Sequence, residues 1–245
     1  MKDNFSNISD KYAKFRPTYP QTIYDFIYPL LSQRDIAWDC GTGTGQVALE
    51  LAKDFNKVYA TDISAQQLEH APHADNIIYT VQRAEQTVFP ANSFDLITVA
   101  QAVHWFDFDK FNEEVKRVGR PNSIIALFGY ELINITPEID AIIKNLYTHI
   151  VGSYWDPERK HIEQQYQTIP FPYRELETPE ITNIKLWNID ALLGYLQTWS
   201  AVQHYEKDKG SSPVKAIEHE LRKVWGTLEV RKVSFPIIFR VGRIK

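Results

Sequence analysis

Trp38-Asp39-Cys40-Gly41-Thr42-Gly43-Thr44-Gly45 closes a short apolar run that begins at Ile36 and leads into a segment with Val47, Ala48, Leu51, Ala52 and Phe55 at helical spacing. Three glycines within five residues contribute nothing to a packed core. They leave the backbone bare for a ligand to approach and permit tight turn geometry at low steric cost. An acidic residue, Asp39, stands just ahead of them. A glycine loop between a strand and a helix predicts a nucleotide-type ligand at the end of that strand.

Outward from this loop the pattern alternates. Apolar runs at residues 35–40, 57–61, 77–81, 94–100 and 122–130 predict strands. Helical periodicity covers residues 19–31, 45–55 and 106–118, and Ser64 and Pro72 bracket a further helix. This alternation predicts an α/β fold with a doubly wound, mostly parallel sheet and helices on both faces. After Tyr130 the rhythm changes. Residues 137–151, 190–200 and 213–225 read as helices, 181–187 and 232–241 as strands, and 152–179 carries weak signals. The expectation is a seven-stranded sheet whose last strand is antiparallel, within a single domain spanning 1–245. Residues 1–34 form a helical lid segment and 35–133 the cofactor-binding core. Residues 134–180 and 190–228 form an inserted cap, and 181–189 and 229–245 the closing strands.

Composition narrows the function classes. The 245 residues are 44% hydrophobic and 24% charged, ordinary for a globular chain with ample core material. A net charge of −4, with no Lys/Arg run, gives no reason to expect nucleic acid. One cysteine, Cys40, leaves no internal disulfide and fits a reducing compartment. The first residues are polar, which predicts no secretory signal. No apolar window approaches membrane-spanning length. Together these predict a cytoplasmic protein. His149, His161 and His204 are not at metal-ligand spacing, so no metal is expected. No G-x-S-x-G elbow or Walker loop is present.

The glycine spacing discriminates between cofactors. A nicotinamide fingerprint needs G-x-G-x-x-G. Gly41 and Gly43 fit its first two positions, but the third falls on Gln46, and Gly45 comes one residue early. Asp62 ends the second strand, where a carboxylate accepts hydrogen bonds from a ribose diol. The same residue also suits a helix-capping or turn aspartate.

With these residues in place, the chain resembles the class I S-adenosylmethionine-dependent methyltransferases. The similarity is to the small-molecule group that includes ubiquinone/menaquinone-biosynthesis and trans-aconitate methyltransferases. It runs from about Phe5 to the C-terminus and is most specific between Asp39 and Trp105. The resemblance implies that Asp39, Gly41, Gly43 and Gly45 wrap the methionine part of the cofactor. It implies that Asp62 binds the ribose, that Ile63 flanks the adenine, and that Ala84 and Glu85 reach it. Gln101-Ala-Val-His-Trp105 would face the methyl group, and Tyr12, Arg16 and Tyr19 would lie over the cofactor. Tyr154-Trp155, Glu158-Arg159, Tyr166 and Phe171-Pro172 resemble the group's variable cap, and Thr198-Trp199-Ser200 also fits. Cys40 departs from the usual small or apolar residue of the first motif.

Methyl transfer from a sulfonium is an in-line displacement, so alignment and exclusion of water matter most. Aromatic faces suit the sulfonium, with Tyr12, Tyr19, Trp105 and Trp155 as candidates. His104 is the candidate general base, with structural hydrogen bonding as the alternative role. A carboxylate acceptor needs no base. Arg16 and Arg159 suit an acidic acceptor by bidentate pairing, with surface ion pairs as the alternative and Arg16 also suiting the cofactor's own carboxylate. The leading expectation is therefore methyl transfer to a small carboxylate- or hydroxyl-bearing metabolite, by a monomer or homodimer. A nicotinamide-dependent oxidoreductase and a non-catalytic S-adenosylmethionine-binding protein are the alternatives.

Overall fold

The computed structural model describes residues 15–244. The sheet is built outward from β1 (Ile36–Cys40). On one side lie β2 (Lys57–Asp62) and β3 (Ile77–Val81), and on the other β4 (Phe94–Ala100) and β5 (Gly119–Tyr130), all parallel. β8 (Arg231–Arg243) adds antiparallel to β5. β6 (Arg174–Leu176) and β7 (Ile181–Trp187) pair one after the other along the far edge of β8. The strand order is β3-β2-β1-β4-β5-β8-β6, with β7 also on β8. This is the expected doubly wound arrangement with an antiparallel last strand. It holds eight strands rather than seven because the edge is broken at residues 177–180. Pro179 falls in that break and has no N–H to continue a ladder.

Alternation along the central strands covers both faces of the sheet. Ile125 and Leu127 of β5 join Trp38, Ile97 and Val99 against Phe111, Val115 and Val118 of α4 (Phe108–Val118). Ile124, Ala126 and Phe128 face the other way. They pack with Ile23 and Ile27 of α1 (Gln21–Ile27) and with Val47, Ala48 and Leu51 of α2 (Gln46–Leu51). β4 is buried along nearly its whole length, as its unbroken apolar run requires. The short α3 (Ala65–Glu69) begins at Ser64, whose hydroxyl accepts the N–H of Gln67 at 3.3 Å, as read from the sequence.

Beyond Tyr130 a separate apolar cluster forms. It gathers α5 (Pro137–Asn145), α7 (Ile189–Gln197), α8 (Ser200–Lys209) and α9 (Pro213–Trp225) around Ile139, Ile143, Leu196, Leu221 and Trp225, with Val233 and Phe235 of β8. The helix expected over 137–151 ends at Asn145. A π-helical turn, Leu146–Ile150, follows it, closed by the Val151 N–H on the Leu146 carbonyl at 2.9 Å. α6 (Lys160–Glu163) lies in the weakly patterned stretch. α8 escapes sequence reading because only Ala201 and Val202 of its ten residues are buried. Among the described residues no helix is long and apolar enough to cross a membrane.

The lower end of the sheet is tied by Asp95 at the start of β4. Its buried carboxylate accepts the backbone N–H groups of Asp35 (3.0 Å) and Ile36 (2.9 Å), the Gln33 amide (3.0 Å) and Arg120 Nη1 (2.7 Å). This sets where β1 enters the sheet, and therefore where its glycine loop emerges. Asp95→Ala strands two backbone donors and one guanidinium, and is expected to cost about 3 kcal/mol. Urea unfolding checks this, with Asp95→Asn losing less.

Candidate active site

The glycine loop leaves β1 and is fastened at once to β2. The Thr61 carbonyl accepts both Gly41 N–H (2.8 Å) and Thr42 N–H (2.9 Å). Asp62 completes the attachment, taking Gly43 N–H on one oxygen and Ser64 N–H on the other, each at 2.9 Å. Gly41 has φ +68°, and a Cβ there would lie 2.7 Å from Cβ of Ala102. Gly45 (φ +77°) caps α2, and its added Cβ would lie 2.6 Å from the Tyr79 hydroxyl oxygen. Both positions therefore require glycine for sterics and for dihedral angle. Gly45 serves the packing of helix against strand and does not line the cleft.

Asp39 lies beneath the loop, fully buried. Its carboxylate accepts the hydroxyls of Thr42 and Thr98, the latter at 2.9 Å. Burial pushes its pKa up to about 6 from 3.8, against the lowering pull of the two threonines. It supports the loop from below and does not line the cleft.

A cleft of about 810 Å³, measured out to open solvent, runs over the carboxyl ends of β1, β2 and β4. Of the sequence-predicted residues, Arg16, Tyr19, Gly41, Gly43, Asp62, Ile63, Gln101 and Trp105 line it. Ala84 is buried in the core under the sheet face. Glu85 accepts the Asp107 N–H (3.1 Å) at the head of α4 and faces Arg83. Neither of these two lines the cleft. Tyr12 lies outside the described residues.

Beyond Gln101 and Trp105 the cleft continues into a chamber of about 500 Å³. Here His104, Trp155 and Arg159 meet Ile162, Tyr195, Trp199 and Ser200. Arg16, Gln101 and Trp105 belong to the walls of both spaces. Gln101 holds this junction at φ +54°, a conformation costly for a residue with a side chain. Its own amide stabilises it, because Gln101 Oε1 accepts Tyr130 N–H at 2.8 Å. Gln101 N–H donates to the Phe128 carbonyl at 2.8 Å.

Arg16 Nη1 donates to the Tyr130 hydroxyl (2.6 Å) and Nη2 to the Thr198 carbonyl (3.1 Å). It therefore joins the N-terminal segment to the helical cluster. Tyr130 and Gln67 are site residues that sequence reading missed. Tyr130 ends a strand in which every residue reads as core. Gln67 sits inside a short polar helix, and only the fold turns it toward Gly43. Its buried Oε1 has no hydrogen-bond partner among the described residues. Trp199 and Ser200, from the Thr198-Trp199-Ser200 motif, also line the chamber.

His104 is buried, and its pKa falls to about 3 through desolvation, with the charges of Arg159 and His161 adding to the effect. The ring stays neutral throughout the physiological range, and so low a basicity makes it a poor proton acceptor. The general-base expectation for His104 rests on an ordinary near-neutral pKa, which this environment does not give it. Its Nδ1 is buried with no hydrogen-bond partner among the described residues. Among those residues, no group of three or more His, Cys, Asp or Glu side chains is placed to hold a metal ion.

A glycine-lined cleft at the topological switch of a doubly wound sheet, with a carboxylate at the end of β2, defines a nucleotide-cosubstrate enzyme fold. Residues 38–127 match the family model described as a methyltransferase domain. A Dictyostelium discoideum protein provisionally named a methyltransferase is 36% identical over 243 residues, covering 96% of this chain and 92% of its own. A solved structure from Anaeromyxobacter dehalogenans, provisionally named a type II methyltransferase, is 42% identical. It superposes with a TM-score of 0.86, covering 94% of this chain and 98% of the other. The ubiquinone/menaquinone biosynthesis C-methyltransferase UbiE of Rickettsia bellii is more distant. It is 27% identical over 185 residues, or 61% of this chain and 75% of its own. The chain belongs to the S-adenosylmethionine-dependent methyltransferases, and that family implies S-adenosylmethionine as cosubstrate. The nicotinamide reading is overturned. Gln46, in place of a third fingerprint glycine, lines the cleft, while Gly45 makes the turn one residue earlier.

Asp39 provides a test of the loop's foundation. Its carboxyl titrates near 6 in the folded chain and near 3.8 when unfolded, so between those values the folded state holds the extra proton. Its contribution to stability therefore rises as pH falls from 7.5 to 4.5, by on the order of 2 kcal/mol. Asp39→Asn is expected to abolish that rise, as read from urea midpoints of both proteins at the two pH values.

Proposed function

We propose that this methyltransferase transfers the methyl group to a small metabolite bearing a carboxylate or a hydroxyl. The donor lies in the cleft over the glycine loop and the acceptor in the adjoining chamber. The observation that carries this reading is the shared wall. Arg16, Gln101 and Trp105 face both spaces, so molecules bound in the two would meet there.

The residues suit the donor. The backbone of Gly41 to Gly43 faces the cleft, and a Cβ on Gly43 would come within 3.0 Å of the unpartnered Gln67 Oε1. The Asp62 carboxylate lines the cleft and suits ribose hydroxyls, and Ile63 offers an apolar edge to an adenine. S-adenosylmethionine, when bound, supplies an electrophilic methyl group on a sulfonium. The faces of Tyr19, Trp105 and Tyr130 attract that cation and keep water from it. Segments 134–180 and 190–228 act as the cap that walls the acceptor, and residues 15–34 as part of a lid. His104 orients the acceptor as a neutral hydrogen-bonding group.

Two measurements test this reading. Calorimetry with S-adenosylhomocysteine should show binding that Asp62→Asn weakens about tenfold or more, a loss of roughly 1.4 kcal/mol. NADH should give no signal. Incubation with isotope-labelled S-adenosylmethionine and a fractionated metabolite extract should label a small product. Cosubstrate binding without any labelled product would favour a non-catalytic role.

A further inference from the structure

Resting on that reading of the chamber, the geometry points to a narrower acceptor. We propose that it is a carboxylate on an apolar skeleton, gripped by Arg159, which Tyr147 and Glu163 hold in place.

Arg159 is built into the chamber with care. Its guanidinium carbon lies 4.7 Å from the Trp155 ring centroid and 5.3 Å from that of Tyr147. Its Nε donates to the Tyr147 hydroxyl at 2.9 Å, and that hydroxyl donates onward to Glu163. Tyr147 also accepts the Trp155 indole N–H on its carbonyl at 3.0 Å, and its ring lies 4.8 Å from Trp155 and 5.8 Å from Trp199. One tyrosine, on the π-helical turn after α5, thus fixes both the plane of the guanidinium and the aromatic wall beside it. The side-chain hydrogen bond of Arg159 is made by Nε. Among the described residues its two terminal nitrogens donate to nothing and no carboxylate pairs with it. A guanidinium stacked on aromatic rings, with its terminal N–H groups uncommitted, presents the fork that matches a carboxylate.

The rest of the chamber agrees with an anion on an apolar body. Among the described residues its walls hold no Asp or Glu, while Trp105, Trp155, Trp199, Tyr195 and Ile162 make them largely aromatic and apolar. Among the described residues the formal charges on those walls are the guanidiniums of Arg16 and Arg159, which repel a protonated amine. The orphaned Nδ1 of His104 offers a further hydrogen bond, as donor or acceptor according to tautomer.

The chemistry agrees as well. An alcohol or ammonium acceptor must lose a proton, and His104, the one titratable base in the chamber wall, is held neutral and weakly basic. A carboxylate arrives already ionised. One of its oxygen lone pairs forms the new O–C bond as the donor's S–C bond breaks, and that bond's electron pair stays on sulfur. Anion and sulfonium become a neutral methyl ester and a neutral thioether. No proton moves, so no base is required.

The test uses cinnamate, cinnamyl alcohol and cinnamylamine, which share one skeleton, with benzoate and octanoate as further carboxylates. Each is titrated by calorimetry into the full chain saturated with S-adenosylhomocysteine. At least one carboxylate is expected to bind, and cinnamyl alcohol and cinnamylamine to bind about tenfold or more weakly than cinnamate. Arg159→Gln should erase that preference while the S-adenosylhomocysteine titration stays intact. Tyr147→Phe should reduce the preference about threefold with alcohol binding unchanged, whereas general damage to the chamber would weaken both. With labelled S-adenosylmethionine, the product of any accepted carboxylate should be an alkali-labile methyl ester. The inference falls if none of the three carboxylates binds, if the alcohol or amine binds as well as cinnamate, or if Arg159→Gln leaves discrimination intact. Failure to bind S-adenosylhomocysteine at all overturns the donor reading first, and this inference with it.

Discussion

The site depends on one attachment: the glycine loop after β1 is fastened to the end of β2. The Thr61 carbonyl takes two consecutive loop N–H groups, and the Asp62 carboxylate takes Gly43 and Ser64. Each would otherwise be an unpaired donor at the mouth of a largely buried structure, at a cost comparable to a lost hydrogen bond. Satisfying them fixes the loop as a shallow cradle and sets the Asp62 carboxylate at its rim. Below the loop, Asp39 and its two threonines fill the space that bare glycine backbone leaves. Trp38 adds its indole N–H to the Thr61 hydroxyl at 2.9 Å, so even the bulkiest residue of β1 is tied to β2.

The second half of the site is assembled differently. The cleft over the glycine loop comes from three adjacent strand ends. The chamber comes from segments far apart in the chain: Arg16, the Gln101–Trp105 turn, the stretch around Trp155–Arg159, and Tyr195 to Ser200. Packing holds these pieces together. Tyr147, Trp155 and Trp199 stack on one another, and Arg16 bridges Tyr130 to the Thr198 carbonyl. The fold thus separates a sheet-bound cleft from a chamber built on helices and turns, whose side chains can vary without disturbing the sheet.

Much of the fold was legible in the sequence because its cause is local. A strand buried on both faces must be apolar throughout, as β4 is, and a helix against a sheet must show an apolar stripe, as α4 does. α8 and β6 were not legible, since one buries too little and the other spans three residues at an edge. Within the site, the glycines and Asp62 announced themselves by spacing. Gln67, Tyr130 and Tyr147 did not, because a glutamine in a polar helix, or a tyrosine among apolar residues, reads the same with or without a cavity beside it. His104 was visible as a candidate, but its basicity was not. That property follows from how completely the ring is enclosed and from the cationic groups brought near it.

The sequence by itself determined the doubly wound architecture, the glycine loop between β1 and α2, and the early third glycine that departs from the nicotinamide spacing. Each is encoded in residues adjacent or one strand apart, where hydrophobic periodicity and glycine's backbone freedom act directly. Only the tertiary structure decided that Asp39 and Gly45 support the loop without facing the cleft, that Arg159 is stacked on Trp155 and Tyr147, and that His104 is neutral. Those outcomes depend on desolvation and on partners from distant segments. Burial and long-range hydrogen bonding are properties of the packed molecule, which no local run of residues carries.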